Sequence, residues 1–272
     1  MPILDVPGAS LYYETTGSGP LLVLVPGANG EADVFKPLAE NLSSCFTVAT
    51  YDRRGFSRSL LRGEQDYQRR LSTDAADVKS LIDHLSPGSD PAIIFGSSSG
   101  AIVALVVLQE YPSSVRKVIP HEPPVLKALP DAGETWRLVL REIYDTYRQR
   151  GVPPAMERFA AAIADGAEAE MMPRAMDPAN GGFVPLNIMY WFERELLVYP
   201  EVDLDMEVLA RRRDKLVLAK GTQVRSHSLL EPVVHSLARE LQVPVLSLPG
   251  PHLGYLFQPE EFASDLLYEL DV

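Results

Sequence analysis

Short apolar runs recur along the chain, separated by stretches with a different spacing of hydrophobic positions. A continuous apolar run is typical of a strand that is covered on both faces in a parallel sheet. The runs that predict such strands are Leu21–Val25, Phe46–Thr50, Ala92–Phe95, Val115–Ile119, Lys215–Ala219 and Val245–Leu248. A further strand, Ser10–Glu14, precedes a turn rich in glycine.

Between these runs, apolar residues recur at the spacing typical of helices. The segment from Ser72 to Leu85 has Ala75, Val78 and Leu81 on one face, and Ser72 or Thr73 is its expected N-cap. Other helices are predicted from about Glu31, after Ser98, and over 229–241 and 260–270. Strands that alternate with helices predict an α/β fold with a doubly wound, mostly parallel sheet.

The alternation stops after Pro120 and resumes only at the strand predicted from Lys215. The intervening sequence is rich in Pro, Met, Arg and Glu, with helical stretches at 135–150 and 155–164 and no buried-strand run. We therefore predict an α/β core formed by residues 1–122 and 209–272, with residues 123–208 inserted as a helical cap.

Charge and composition narrow the function classes. The chain has 272 residues, 46% of them hydrophobic, and 25 basic against 37 acidic residues give a net charge of −12. This balance argues against nucleic acid and anionic membranes as partners. Cys45 is the single cysteine, and neither a signal peptide nor an apolar run of about 20 residues is evident. A cytoplasmic location is expected, and a homodimer is left open.

The serine triplet Ser97-Ser98-Ser99 follows one of the predicted strands and precedes an apolar helix. Gly96 and Gly100 lie two residues either side of Ser98, as in the G-x-S-x-G pattern of a nucleophile elbow. Such clusters also occur in ordinary loops. The strand before and the helix after it favour Ser98 as a nucleophile.

A serine nucleophile needs a base and two backbone N–H groups that bind the oxyanion. His252 lies in a loop shaped by Pro and Gly directly after the last predicted strand, which makes it the candidate base. The expected oxyanion donors are the N–H groups of Ser99 and Ala28, with Asn29 as the second choice. The loop that contains Ala28 and Asn29 can also be interpreted as a tight strand-to-helix turn.

Together these motifs resemble the α/β-hydrolase fold over nearly the whole chain. They are the serine elbow, Pro26-Gly27-Ala28, Asp52-Arg53-Arg54-Gly55 with Ser57-Arg58-Ser59, and the histidine loop. Two departures stand out. Pro26 replaces the histidine found in many relatives, and the loop 220–227, where many members carry the catalytic acid, has no carboxylate.

The acid is therefore expected elsewhere, and Glu122 follows the strand Val115–Ile119 at the carboxyl edge of the sheet. Haloalkane dehalogenases and zearalenone-type lactone hydrolases carry their acid there, and the local strings around Tyr12, Ser98 and Glu122 are similar to those of the lactone hydrolases. A dehalogenase would need Asp at position 98. Asp203, Asp205 and a Ser–His dyad remain alternatives.

The resemblance implies a serine hydrolase of the carboxylesterase or lactonase type that acts on a small-molecule ester or lactone. No cofactor or metal is expected, because Ser98, His252 and Glu122 would supply the chemistry. Trp191 is the one aromatic cap residue that we assign to substrate binding, together with Asn29 from the core. A cyclase or dehydratase on the same fold, and a small-molecule receptor with slow turnover, are the alternatives.

Overall fold

The structure is a computed structural model that describes residues 2–225 and 228–270. Within these residues the strands are β1 (Ile3–Val6), β2 (Ala9–Thr16), β3 (Leu21–Val25), β4 (Thr47–Tyr51), β5 (Leu60–Leu61), β6 (Ala92–Ser97), β7 (Val115–His121), β8 (Leu218–Gly221) and β9 (Val245–Leu248). They form one sheet, in the order β1, β2, β4, β3, β6, β7, β8, β9, with β5 paired to β2.

The sheet is mixed but mostly parallel. β2 runs antiparallel to β1, β4 and β5, whereas every neighbouring pair from β4 to β9 is parallel. This arrangement confirms the predicted α/β class. Because the parallel strands share one direction, the loops that follow β3, β6, β7, β8 and β9 meet at a single edge.

The described helices are α1 (Lys36–Leu42), α2 (Arg70–Leu85), α3 (Ser99–Glu110), α4 (Glu134–Arg150), α5 (Val152–Ile163), α6 (Gly166–Ala175), α7 (Val184–Arg194), α8 (Met206–Ala210), α9 (Leu230–Leu241), α10 (Gly254–Phe257) and α11 (Pro259–Glu269). α4 to α8 all lie between β7 and β8, in a segment that contains no strand. None of the described helices is long and apolar enough to span a membrane.

Strand β3 illustrates why continuous apolar runs form the centre of the sheet. Val23 and Val25 pack into the core layer that contains α2 and α3, whereas Leu22 and Leu24 face the layer that contains α1 and α11. All four side chains are fully buried. Successive residues of a strand point to opposite faces, so a strand between two helical layers must be apolar throughout.

Two sequence predictions were wrong in detail. Ser72 and Thr73 do not cap α2, because the helix begins at Arg70, after a short 3-10 turn that the carboxylate of Asp66 caps. β8 begins at Leu218 rather than Lys215. Lys215 ends a 3-10 turn, and its ammonium group donates hydrogen bonds to two backbone carbonyls, at 2.8 and 2.7 Å.

Candidate active site

Ser98 occupies a sharp turn between β6 and α3. Its backbone has φ 55° and ψ −121°, a conformation that is strained for a residue with a side chain. Hydrogen bonds hold it: the Ser98 N–H donates to the carbonyl of His121 at 2.9 Å, and the Ser98 carbonyl accepts from Ala101 N–H at 2.9 Å. The turn therefore presents the hydroxyl beyond the carboxyl edge of the sheet.

The two glycines around Ser98 are required by close backbone contacts. A Cβ atom on Gly100 would lie 2.6 Å from the carbonyl oxygen of Pro26, and one on Gly96 would lie 2.7 Å from the carbonyl carbon of Gly100. Both distances are below 3.0 Å, which real Cβ atoms essentially never show. Gly96 and Gly100 thus allow strand, turn and helix to pack tightly enough to form the elbow.

His252, in the loop after β9, is hydrogen-bonded through Nδ1 to the Oε2 atom of Glu122. Glu122 follows β7, is fully buried, and accepts a second hydrogen bond at Oε1 from the Gly221 N–H at 2.7 Å. The backbone of Glu122 also has a positive φ of 52°. The structure therefore brings together a histidine and a carboxylate that are 130 residues apart in the chain.

Gly221, the last residue of β8, contributes a backbone donor next to the loop in which many relatives carry the acid. A Cβ atom on Gly221 would lie 2.6 Å from the carbonyl oxygen of Gly250 and 2.7 Å from that of Pro251, so the histidine loop can approach only a glycine. That approach places the Gly221 N–H against Glu122. Ser226 and His227, at the end of this loop, lie outside the described residues.

The pKa shifts of the pair follow from burial and mutual attraction. Burial alone would lower the pKa of His252, but the hydrogen bond and charge of Glu122 raise it above its ordinary value. Burial alone would raise the pKa of Glu122, but His121, His252 and the Gly221 N–H lower it. The carboxylate is therefore ionised and the imidazole is a strengthened base.

Ser98 and His252 line the same cavity, of about 120 Å³, without a hydrogen bond between them among the described residues. Such bonds are often long before substrate binds.

The two expected oxyanion donors are unoccupied by other described residues. The N–H group of Ser99, at the start of α3, and that of Ala28, after β3, donate to no described residue. The Ala28 loop is close to the elbow, because a Cβ on Gly27 would lie 3.1 Å from the Ser98 Cβ.

A second, smaller cavity of about 30 Å³ also has Ser98 in its wall. Phe159 and Ile163 of α5 line both cavities. The side chains of the larger one are mostly apolar, including Val34, Met171, Met172, Met176, Leu253 and Leu256. Those of the smaller one include Leu140, Trp191, Leu196, Leu229 and Leu230, with one carboxylate, Glu195.

The two residues assigned to substrate binding fall in different cavities. Asn29 lines the larger one, where its Nδ2 donates to Glu31 at 3.0 Å and its Oδ1 accepts from Asn187 at 3.5 Å. Trp191 lines the smaller one and packs edge-on against Phe159, with ring centroids 5.0 Å apart.

The alternative acids lie away from both cavities. Asp203 forms an exposed ion pair with Lys127 at 3.1 Å. Asp205 caps α8 by accepting a hydrogen bond from Val208 N–H at 2.9 Å. Neither carboxylate contacts the histidine.

The residues of this site could also be considered as metal ligands. His121, Glu122 and His252 place three ligand atoms within 4.8 Å of one another. The carboxylate and the His252 ring are already hydrogen-bonded to each other, so a metal would have to displace that bond. The arrangement suits proton transfer better than metal ligation.

Comparison with known proteins defines the family. A family model described as alpha/beta hydrolase fold matches residues 20–200. The chain belongs to this family. This α/β hydrolase is 30% identical over 266 residues to the uncharacterised hydrolase YraK of Bacillus subtilis, covering 97% of the chain and 93% of the relative. It is 31% identical over 275 residues to a zearalenone hydrolase of Cladophialophora bantiana, covering 96% and 92%.

Solved structures agree with the fold assignment. A thermophilic esterase from Thermogutta terrifontis superposes with a TM-score of 0.76 at 18% identity, covering 100% of this chain and 98% of the esterase. The enol-lactonase from Burkholderia xenovorans gives a TM-score of 0.74 at 17% identity, with both chains covered completely. At these identities the likeness concerns the fold.

Two carboxylates of this α/β hydrolase were not found by sequence reasoning. Glu168 of α6 is buried and accepts a hydrogen bond from the Leu253 N–H, next to His252, at 2.6 Å; burial raises its pKa. Glu195, directly after α7, forms ion pairs with Arg53 and Arg70. Neither position has a sequence signal, because each depends on how the segment between β7 and β8 packs on the core.

Proposed function

We propose that this α/β hydrolase is a cofactor-independent serine hydrolase that cleaves an uncharged carboxylic ester or lactone through an acyl-enzyme. The observation that carries the proposal is the buried hydrogen bond between His252 and Glu122 beside the cavity that holds the Ser98 elbow. A hydroxyl on a strained turn, a base and an orienting carboxylate are the three groups that nucleophilic acyl transfer needs.

In this mechanism Ser98 Oγ attacks the substrate carbonyl while the free Nε2 of His252 takes its proton. Glu122 holds Nδ1 and stabilises the imidazolium that forms. The N–H groups of Ala28 and Ser99 bind the oxyanion, and the N-terminus of α3 adds a favourable dipole. His252 then protonates the leaving alcohol, and a water molecule releases the acyl group by the reverse sequence.

The two mostly apolar cavities that share Ser98 support a substrate with apolar groups on both sides of the scissile bond. No lysine or arginine side chain is among the described residues that line either cavity. A free carboxylate on the substrate would lose its hydration and find no cationic side chain there to replace it. An uncharged ester or lactone avoids this penalty.

We further propose that residues 123–208 act as a cap over the site. Phe159, Ile163, Met172 and Trp191 belong to this segment and line the cavities around Ser98. A cap of this kind would exclude water during acylation and set the size of each side of the pocket.

A panel of neutral p-nitrophenyl esters and lactones tests the function. We expect turnover by the wild type and its loss in Ser98→Ala, with an unchanged thermal transition. Ser97→Ala is the matched control, since Ser97 is adjacent and buried, and its hydroxyl donates to the Tyr255 hydroxyl at 3.2 Å. Activity retained in Ser98→Ala would reject the mechanism. Fluorophosphonate labelling of Ser98 without turnover on the panel would favour non-hydrolytic chemistry or a receptor.

A further inference from the structure

The Gly27–Ala28 peptide bears the backbone N–H that the proposed mechanism uses for the oxyanion. The carbonyl of Gly27 and the N–H of Ala28 belong to one trans peptide unit, so they point in opposite directions. Whatever fixes the Gly27 carbonyl therefore also fixes the direction of the Ala28 N–H. Ala28 lines the larger cavity, where an oxyanion would form.

Two donors hold the Gly27 carbonyl. Nη2 of Arg53 donates to it at 2.8 Å, and the Gly30 N–H donates to it at 2.9 Å within the turn. Arg53 itself is completely buried. A guanidinium group on this carbonyl oxygen opposes any flip that would turn the carbonyl toward the cavity.

The guanidinium of Arg53 is fixed by carboxylates from two separate elements. Its two terminal nitrogens donate to Glu195 at 3.0 and 2.7 Å, in a two-pronged contact, and Nη1 also donates to Asp74 of α2 at 3.1 Å. Glu195 follows α7, in the segment between β7 and β8, and is 142 residues from Arg53. Burial alone would lower the pKa of Arg53, but Glu195 and Asp74 raise it.

Fold stability alone is a weak reason for this buried cluster. Its charges lose their hydration, and well-packed apolar groups often serve equally well in such positions. The Nε atom of Arg53 and the Oδ1 atom of Asp74 have no hydrogen-bond partner among the described residues. The cluster does supply one contact that apolar groups could not make, the hydrogen bond from Arg53 to the Gly27 carbonyl.

We propose that Arg53 is a positioning residue for the oxyanion site and that Glu195 holds it in place, so that the docking of α7 sets the direction of the Ala28 N–H. The inference rests on the proposed function, because that N–H matters only if Ser98 attacks a carbonyl. The structural route runs from Glu195 through Arg53 to the Gly27 carbonyl, and neither side chain needs to touch substrate.

Arg53→Met tests this role, with Arg54→Met as the matched control. Arg54 is the adjacent arginine, is also buried, and pairs with Asp77 at 2.5 Å without contacting Gly27. The readouts are kcat and KM on p-nitrophenyl butyrate, and the Kd values of an apolar trifluoromethyl ketone and of the corresponding alcohol. The ketone forms a tetrahedral oxyanion adduct with a serine, whereas the alcohol fills the same space without one.

For Arg53→Met we expect kcat and ketone affinity to fall by the same factor, about 10- to 100-fold. This is less than the complete loss of a donor, because the Gly30 N–H still holds the carbonyl. KM and alcohol affinity should stay unchanged, and Arg53→Lys, which keeps the charge and a donor, should recover part of the loss. Glu195→Gln should show the same selective pattern more weakly, and Arg54→Met should not show it.

Equal losses of ketone and alcohol affinity in Arg53→Met, or equal effects of Arg53→Met and Arg54→Met, would overturn the positioning role. If Arg53→Met does not fold, Glu195→Gln decides, and an unchanged ratio of ketone to alcohol affinity overturns the proposal. Failure of the proposed function is distinct: the wild type would then show no turnover of p-nitrophenyl butyrate, or would form no ketone adduct, or Ser98→Ala would keep the wild-type activity.

Discussion

His121 lies in an aromatic enclosure behind the Glu122–His252 pair, and its replacement by phenylalanine should make the protein more resistant to acid. The ring stacks between Phe95 and His252, with centroid distances of 5.8 and 5.9 Å. It is completely buried, and neither ring nitrogen has a hydrogen-bond partner among the described residues. A proton on this ring would therefore be held without compensation by a hydrogen bond.

The size of the effect follows from the shift in protonation. Burial lowers the pKa of His121 from 6.5 to about 4, opposed by the charge of Glu122 and reinforced by that of His252. Below about pH 6.5 the unfolded chain binds a proton at this residue while the folded protein does not, so stability falls by about 1.4 kcal/mol per pH unit. At about pH 5 the protein has therefore lost about 2 kcal/mol of unfolding free energy through His121, and the loss stops growing near the pKa of His121 in the folded protein.

Urea denaturation of wild type and His121→Phe at about pH 7.5 and about pH 5 measures this contribution, because the other titrating groups are common to both proteins. From the higher to the lower pH, the free energy of unfolding of the wild type should fall by about 2 kcal/mol more than that of His121→Phe. His235→Gln, at an exposed position on α9, controls for the loss of a histidine. If the difference in unfolding free energy between His121→Phe and wild type changes by less than about 0.5 kcal/mol between the two pH values, the reasoning is refuted.

Further predictions concern the carboxylates of the site and its turn. Glu122→Gln should lower kcat by about 10³- to 10⁴-fold with little change in KM, and a rate within about tenfold of wild type would exclude Glu122 as the acid. Because Glu122 raises the pKa of His252 above 6.5, kcat/KM should fall as the pH drops through that raised value. The charge of Glu168 also raises the pKa of His252, so Glu168→Gln should move this acid limb to lower pH; an unmoved limb would contradict the electrostatic assignment. Gly30→Ala should lower the free energy of unfolding by at least about 1 kcal/mol, because Gly30 has φ +63° and a Cβ there would meet the Phe56 ring; an unchanged Tm would contradict this.

The sheet and the elbow were predictable because local sequence determines them. A strand buried on both faces must be apolar at every position, and the tight elbow around Ser98 needs glycine at 96 and 100. Glu122 could be proposed from the sequence because the loop 220–227 has no carboxylate and some members of the resembled family carry their acid at the end of the strand that corresponds to β7, although Asp203, Asp205 and a Ser–His dyad stayed open. Its catalytic role, and those of Ser98 and His252, stay predictions.

The contacts of the segment between β7 and β8 could not be predicted from sequence. Arg53 belongs to a charged string that is typical of an exposed loop, yet it is completely buried. Its partner Glu195 is 142 residues away, and no spacing rule connects the two. Glu168 is hidden in the same way, because its contact with the His252 loop depends on how α6 packs. The division of the pocket into two cavities arises from the same packing.

An acyl-enzyme on Ser98 is the central expectation, and rapid acid quenching during turnover of p-nitrophenyl butyrate tests it most directly. We predict a burst of p-nitrophenolate equal to the enzyme concentration, and a peptide containing Ser98 that is heavier by one butyryl group. The modified peptide should be absent from Ser98→Ala. Turnover without a covalent adduct, or an adduct on another residue, would contradict the proposed mechanism.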